Sequence, residues 1–168
     1  MKKQGFTLIE LMVVIVIMGI LAAVAVPKLF GMIAKSKASE VGPAAGTYVK
    51  LQDAYVGESN QIGSWTLIGY TGPGTAVSGQ TDSTTTTNFN YGGCEYKGAD
   101  GKATIGDAAV EAKIGWVATS KAALNDVGIG AQWTLSVAAE ASKSVVSYTA
   151  GVPEGAESLT PNFSALSH

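Results

Sequence analysis

The first third of the chain carries apolar residues at helical spacing. Residues 11–26 include no charged or strongly polar side chain. Farther along, the spacing of three and four residues continues on one face of the same helix. This face comprises Val41, Ala45, Tyr48, Gln52 and Tyr55. The pattern predicts one long helix over about residues 6–56, with Gly57 as its C-terminal stop.

Two prolines interrupt this predicted helix. Pro27 has no N–H to offer the carbonyl of Ala23, so we expect a kink there rather than an end. Gly42 and Pro43 form a second interruption, because the glycine is flexible and the proline again lacks a donor. The helix is expected to bend at this second point or to divide into two pieces.

Beyond Gly57 the pattern changes to short apolar and aromatic runs separated by glycine, which is typical of β-strands. The predicted strands cover residues 65–70, 88–96, 114–119, 132–137 and 145–149. Residues 107–113 and 138–144 could instead form short helical turns. The fold class is therefore α+β, with an antiparallel sheet packed on the outer half of the helix.

Residues 71–88 are rich in Thr, Gly and Ser and contain one acid, Asp82, which predicts a solvated surface loop. The aromatic residues of the outer part could either stack on a carbohydrate or build the core. They are Trp65, Tyr70, Tyr91, Tyr96, Trp116, Trp133 and Tyr148. Their alternating placement favours burial. A single-span anchored or secreted carbohydrate-binding domain stays an alternative of another class.

The apolar N-terminal run is long enough to cross a membrane. Residues 6–30 would reach about 37 Å as a helix, against a hydrocarbon core of ~30 Å. Lys2 and Lys3 precede the run, so the positive-inside rule places the N-terminus in the cytoplasm and the C-terminal body outside. Glu10 lies within the run, where an ionisable group calls for a partner or for access to the membrane surface.

Composition argues against several other classes. The chain has eleven Lys, no Arg and thirteen acidic residues, and its one His is His168. It therefore has no strong signal for nucleic-acid binding. We predict no enzyme activity, no cofactor and no metal site, because no catalytic set or phosphate loop is present and residues 96–101 supply too few oxygens for calcium. Cys94 is the one cysteine, so we expect a free, buried thiol.

A six-residue motif, Gly-Phe-Thr-Leu-Ile-Glu, begins at Gly5 and ends at Glu10, directly before the apolar run. The motif resembles the prepilin signal of type IV pilins and type II secretion pseudopilins. The resemblance implies that a prepilin peptidase cuts between Gly5 and Phe6 and methylates the new amine of Phe6. Gly19 and Pro27 also lie where pilins carry a glycine and a proline, and in the family the stretch between them can unwind within the filament.

The resemblance further implies how the chain is organised. Residues 1–5 would be a leader peptide, and residues 6–30 would be the half-helix that spans the membrane and later polymerises. Residues 31–168 would form the outer half-helix and a globular β-rich domain, together the ladle-shaped pilin fold. In the filament, Glu10 would pair with the Phe6 amine of a neighbouring subunit.

The implied function is that of a structural subunit of a type IV pilus, serving surface attachment and motility. Its partners would be other copies of itself, the prepilin peptidase and methyltransferase, and an inner-membrane assembly platform. The precursor would lie in the bacterial inner membrane, and the mature subunit in an extracellular filament. A major pseudopilin of type II secretion is one alternative. An ordinary secretory signal is another, although it leaves Glu10 unexplained.

Overall fold

A computed structural model of the protein describes residues 5–168. Its N-terminal part consists of two helices, α1 (Leu8–Ala38) and α2 (Val41–Ser59). The orientation signal predicted from Lys2 and Lys3 lies outside the described residues, as does the predicted leader peptide before Gly5.

The boundary between α1 and α2 lies at Ser39 and Glu40, directly before Gly42 and Pro43. Pro43 has no N–H to donate to the carbonyl of Ser39, four residues earlier, so the helical bonding pattern is interrupted at this point. α1 in contrast continues through Pro27 without an end.

The end of α2 lies at Ser59, so the prediction of Gly57 as the stop is wrong by two residues. Asn60 adopts the left-handed conformation, with a φ of 55°, and its N–H donates to the carbonyl of Val56 over 2.8 Å. Asparagine tolerates this conformation better than most residues. The side-chain amide of Asn60 also donates to the carbonyl of Ile105, over 2.7 Å, and so ties the helix end to the sheet region.

After α2 the chain forms eight short strands and one short helix. They are β1 (Gln61–Gly63), α3 (Trp65–Ile68), β2 (Thr75–Ala76), β3 (Thr84–Thr85), β4 (Phe89–Gly92), β5 (Lys102–Thr104), β6 (Val110–Ser120), β7 (Gln132–Ala139) and β8 (Val146–Gly151). A single 3₁₀ turn, Ser164–Leu166, lies near the C-terminus. The main sheet is antiparallel in the order β2-β3-β4-β6-β7-β8, and β1 pairs separately with β5. The α+β prediction is confirmed.

Several predicted boundaries need correction. The segment predicted as a strand over residues 65–70 instead contains α3, residues 65–68. Ser64 caps this helix by accepting a hydrogen bond from the N–H of Leu67, and Gly69 ends it at a φ of 68°. The helical alternatives for residues 107–113 and 138–144 are wrong where these segments overlap β6 and β7. The predicted loop of residues 71–88 contributes β2 and β3 to the sheet.

The core lies between α2 and the main sheet. Val41, Ala45 and Tyr48 of α2 have no exposed surface, which confirms the predicted helix face. Tyr48 reaches so close to β6 that a Cβ at Gly115 would collide with its hydroxyl, so this strand position requires glycine. The seven aromatic residues of the outer domain named above are all at most 5% exposed. The burial prediction is confirmed, and the exposed stacking platform is wrong.

Glu40 connects the helix boundary to the sheet. Its carboxylate accepts a hydrogen bond from the hydroxyl of Thr86, over 2.8 Å, in the turn between β3 and β4. Lys121, at the end of β6, donates to the carbonyl of Thr86 over 2.7 Å and to the hydroxyl of Thr85 over 3.0 Å. The boundary between the two helices is thus held against one end of the main sheet.

Candidate functional site

The largest apolar surface of the described chain is α1. Every large apolar side chain between Phe6 and Ile33 is exposed, and Ala34 is the first buried residue of the helix. The stretch Leu8–Ser59, formed by α1 and α2, contains an apolar window long enough to cross a membrane, and none of this window is buried inside the protein. A surface of this kind is far larger than the apolar patches of soluble monomers, so it requires a membrane or another protein chain to cover it.

The start of α1 carries a capping box formed by Thr7 and Glu10. The Glu10 carboxylate accepts hydrogen bonds from the backbone N–H and the hydroxyl of Thr7, over 2.8 and 2.7 Å, and the Thr7 hydroxyl accepts one from the N–H of Glu10 over 3.3 Å. The sequence interpretation missed this arrangement. A threonine followed three residues later by glutamate, before an apolar run, is the signal that could have revealed it.

Phe6 lies immediately before this cap and is 92% exposed. Because Gly5 precedes it in the described chain, the nitrogen of Phe6 is an amide here rather than an amine. The predicted ion pair between Glu10 and an amine of Phe6 would therefore require cleavage of the bond between Gly5 and Phe6. In the described chain the Glu10 carboxylate is bonded to Thr7.

Gly19 and Pro27 both lie within the exposed part of α1. A Cβ at Gly19 would contact nothing within 4 Å, so no packing inside the described chain requires a glycine there. Pro27 has no N–H to donate to the carbonyl of Ala23, so α1 lacks one hydrogen bond between Gly19 and Pro27. The predicted unwinding of residues 19–27 in a filament stays a prediction.

Asp82 is a second polar residue whose role sequence reasoning missed. One of its oxygens accepts from the N–H and the hydroxyl of Thr66, over 3.1 and 2.9 Å, and the other accepts from the N–H of Gly98 over 3.1 Å. Its backbone is left-handed, with a φ of 59°. Asp82 therefore joins α3 and the segment after β4 to the Thr-rich segment, which the sequence analysis had described only as a solvated loop.

Residues 96–101 form a turn fixed by backbone contacts. The hydroxyl and the N–H of Ser64 donate to the carbonyls of Gly98 and Gly101, over 2.5 and 2.7 Å. Over residues 5–168 the structure brings together no group of three or more His, Cys, Asp or Glu side chains that could hold a metal ion.

Cys94 lies in the core, 2% exposed, and is not bonded to another cysteine. Burial away from water raises the pKa of its thiol to about 12. At neutral pH the thiol stays protonated, so it is a poor nucleophile and a poor metal ligand. Its position is that of a small apolar core residue.

The C-terminal segment, residues 153–168, closes the domain without a disulfide. Phe163 is 1% exposed and packs against Trp116, with the ring centroids 6.0 Å apart. The indole N–H of Trp133 donates to the hydroxyl of Thr160 over 2.9 Å. At the end of the chain, the backbones of His168 and Tyr148 exchange hydrogen bonds of 3.2 and 2.8 Å along the edge of β8.

These features define a class of protein: a globular α+β domain attached to an apolar helix that begins with a capping box and is long enough to cross a membrane. Residues 1–26 match the family model of the prokaryotic N-terminal methylation motif. The chain is also similar to curated proteins of known type. A type IV major fimbrial protein FimA of Dichelobacter nodosus is 37% identical over 114 residues, which cover 62% of this chain and 71% of that protein.

Two other relatives extend the comparison. A fimbrial protein of Dichelobacter nodosus is 34% identical over 128 residues, covering 71% of this chain and 77% of the relative. The type IV major pilin protein PilA of Myxococcus xanthus is 41% identical over 69 residues, which are 37% of this chain and 31% of PilA. The match thus spans less than half the length of some relatives and more than two thirds of others. The chain belongs to the type IV pilin family.

Proposed function

We propose that the chain is a structural subunit of a type IV pilus and polymerises through the apolar surface of α1. The observation that carries this proposal is the exposure of every large apolar side chain between Phe6 and Ile33, on a helix joined to a folded domain. The domain has its own core and does not cover this helix. Copies of α1 packed side by side would bury the surface once it has left the membrane.

The processing step follows from the N-terminal motif. A prepilin peptidase would cut between Gly5 and Phe6 and methylate the amine that cleavage creates. The new amine would lie next to Glu10, whose carboxylate can then exchange Thr7 for a positive partner. Pairing with the Phe6 amine of a neighbouring subunit would fix the axial register of the filament, because an ion pair in an apolar setting tolerates little displacement.

The same proposal places the protein in two locations. The precursor would lie in the inner membrane through residues 6–30, with residues 31–168 outside, and would pass to an assembly platform that adds it to a filament on the cell surface. Surface attachment and motility are the proposed tasks of that filament. The names of the matched relatives favour a pilus over the pseudopilin alternative.

The test is the mass of the protein sheared from the surface of cells that express it, together with the sequence of its N-terminal peptide. We expect filaments whose subunits begin at N-methylated Phe6 and lack residues 1–5. A Gly5→Leu variant is the matched control, since it alters the cleavage position alone. It should keep Met1 and stay in the membrane fraction.

Two results would contradict the proposal. Sheared filaments whose subunits keep Met1 would show that assembly does not depend on the cut after Gly5. A released, monomeric protein that begins near Val26 would instead indicate an ordinary secretory signal.

A further inference from the structure

Beyond Ile33, two large apolar side chains of the described chain are exposed, Ile129 at 72% and Val145 at 69%. Ile129 lies in the loop between β6 and β7, and Val145 lies directly before β8. Because Val146 pairs with Ala139, the last residue of β7, Val145 lies at the other end of that strand. The eight residues of β7 separate the two ends by about 25 Å. The two exposed side chains therefore lie at opposite ends of the main sheet.

The backbone on both sides of Ile129 is fixed by hydrogen bonds. The hydroxyl of Ser120 donates to the carbonyl of Gly128 over 3.0 Å, and the N–H of Gly130 donates to the carbonyl of Ser120 over 2.9 Å. Gly130 has a φ of 83°, a conformation that favours glycine. We call residues 128–130 the Ile129 tip. The tip presents one uncharged, branched side chain from an anchored backbone, so it would lose little freedom on binding.

A cavity of about 320 Å³ lies next to Val145, at the other end of the sheet. Its lining residues are Glu140, Lys143, Val145, Val146, Ser147 and His168. We call this cavity the Val145 pocket. Lys143 and Glu140 form an ion pair with each other, so their charges balance and the pocket suits an uncharged side chain. The cavity has room for one branched apolar side chain and not for a helix.

The Ile129 tip lies at the end of the sheet from which α1 leaves the domain. Lys121 begins the same loop and donates to the carbonyl of Thr86, and the hydroxyl of Thr86 donates to Glu40 at the helix boundary. The Val145 pocket lies at the far end. When copies of α1 pack side by side in one direction, as proposed above, the tip end of one domain faces the pocket end of another.

We propose that the Ile129 tip of one subunit enters the Val145 pocket of a second copy of the chain; this inference rests on the proposed function. A single exposed apolar residue is common on protein surfaces, so the proposal depends on the fit of tip to pocket and on their positions at opposite ends. A contact between two different surfaces of identical chains leaves a free tip and a free pocket in every pair. Its repetition gives an open polymer, in which each domain binds two others.

The test is disulfide cross-linking in filaments sheared from cells. One chain carries both Ile129→Cys and Val145→Cys, and two further chains carry one of these changes each. The two positions are about 25 Å apart along β7, beyond the ~7 Å limit between Cα atoms, so a disulfide within one chain is excluded. Cys94 is 2% exposed and burial raises the pKa of its thiol to about 12, so it does not compete.

We expect oxidised filaments of the double variant to give a ladder of dimers, trimers and larger species on a non-reducing gel, because every chain has a partner at both ends. Each single variant should stay monomeric, since the contact joins a tip to a pocket and never two tips. Ala123→Cys replaces Ile129→Cys in the matched control, because Ala123 is exposed in the same loop but outside the tip. The control chain, with Val145→Cys, should give monomers.

A second pair of variants measures assembly itself. Ile129→Asp places a carboxylate in a pocket whose ion pair is already complete, so it should lower filament yield several-fold. Ala123→Asp adds the same charge to the same loop outside the tip and should keep the parental yield. Both positions are exposed, so both variants should fold and reach the membrane fraction.

The outcomes separate the two proposals. Filaments of the double variant that give no ladder, dimers from Ile129→Cys alone, or an equal ladder with Ala123→Cys overturn the tip assignment and leave the pilus proposal standing. Normal filament yield with Ile129→Asp overturns the tip assignment as well. If the parental chain forms no filaments, the proposed function fails, and the tip assignment fails with it.

Discussion

Glu10 and Asp82 are two carboxylates whose hydrogen bonds each fix a local part of the structure. Glu10 caps α1 through Thr7, two positions beyond the predicted cleavage point. Asp82 binds Thr66 and Gly98. The two carboxylates differ in the location of their partners. Those of Asp82 lie in its own domain, whereas Glu10 is proposed to bind a second subunit.

Replacing the Glu10 carboxylate with an amide distinguishes helix capping by Glu10 from its proposed pairing with a second subunit. Glu10→Gln keeps a residue that can complete a capping box but removes the charge that an amine would pair with. Thr7→Val does the reverse, because it removes the local hydroxyl and leaves the carboxylate. We expect Glu10→Gln to lose most of the filaments and Thr7→Val to lose few, with both variants present in the membrane fraction. Immunoblots of the sheared and membrane fractions measure the amount of each variant in filaments and in the membrane.

An equal loss of filaments in the two variants would contradict the interpretation. It would mean that Glu10 acts in assembly only by capping its own helix. The loss of filaments would then result from the weakened N-terminal cap of α1 rather than from the missing charge.

The sequence could predict the hydrogen bonds of Glu10 but not those of Asp82. Thr7 and Glu10 are three residues apart and form a local pattern, so their bond was readable in principle. Asp82 binds residues sixteen positions away on either side. Such a contact depends on where the sheet brings distant segments, and no local pattern signals it.

The C-terminal segment, residues 153–168, contributes to the core and also covers a sheet edge. It contributes Phe163 between the sheet and the helices, and it covers the edge of β8 with backbone hydrogen bonds from His168. Covering an edge strand also removes unpaired backbone groups that could bind another chain. Packing and hydrogen bonds together close the domain in place of a covalent link.

Phe163→Ala should therefore destabilise the domain strongly. Removing a buried phenylalanine side chain costs about 3–5 kcal/mol in the free energy of unfolding, because both the transfer energy and a cavity contribute. Phe30→Ala is the matched control, since Phe30 is 60% exposed and lies outside the core. Urea denaturation of the full chain in detergent, followed by tryptophan fluorescence, gives both values.

The control should leave the unfolding midpoint nearly unchanged. If the two variants unfold at similar urea concentrations, the C-terminal segment does not stabilise the core as described. The closure of the domain would then have to rest on β7 and β8 alone.

The elements themselves were unequally predictable. The strands β6, β7 and β8 lie close to their predicted positions, because their apolar residues alternate and turns separate them. Residues 65–70 were predicted as a strand because Trp65 and Tyr70 favour strands in general. Ser64 and Gly69 supplied a helix cap and a helix stop on either side, and these local signals outweighed the aromatic content.

Over the whole molecule, buried tyrosines link the helices to the sheet and make the fold sensitive to alkali. Burial raises the pKa values of Tyr70 and Tyr96 to about 12. It raises those of Tyr48, Tyr91 and Tyr148 as well, and the carboxylate of Asp53 adds to the effect at Tyr148, whose hydroxyl donates to it over 2.7 Å. In the unfolded chain these hydroxyls lose their protons near pH 10.

The folded state therefore binds these protons more tightly than the unfolded state does. The contribution of Tyr70 and Tyr96 to stability is complete below about pH 10 and is lost as the pH rises toward about 12. That of Tyr48, Tyr91 and Tyr148 also falls above about pH 10 and continues to fall beyond this range. We expect the domain to unfold cooperatively within that window, with tyrosine ionisation and loss of near-ultraviolet circular dichroism occurring together. Native dichroism that persists while these tyrosines ionise near pH 10 would contradict the burial of their hydroxyls.

The position of Phe163 in the chain also sets an order of events during synthesis. The helix that would enter the membrane is synthesised before Phe163, the side chain that completes the core next to Trp116. Until that residue has been made and has folded into place, the sheet has an open face, and an unfinished domain is prone to misassociation. Anchoring by α1 would hold such a domain near the membrane surface during this interval, and because closure requires no disulfide, folding can finish without an oxidation step.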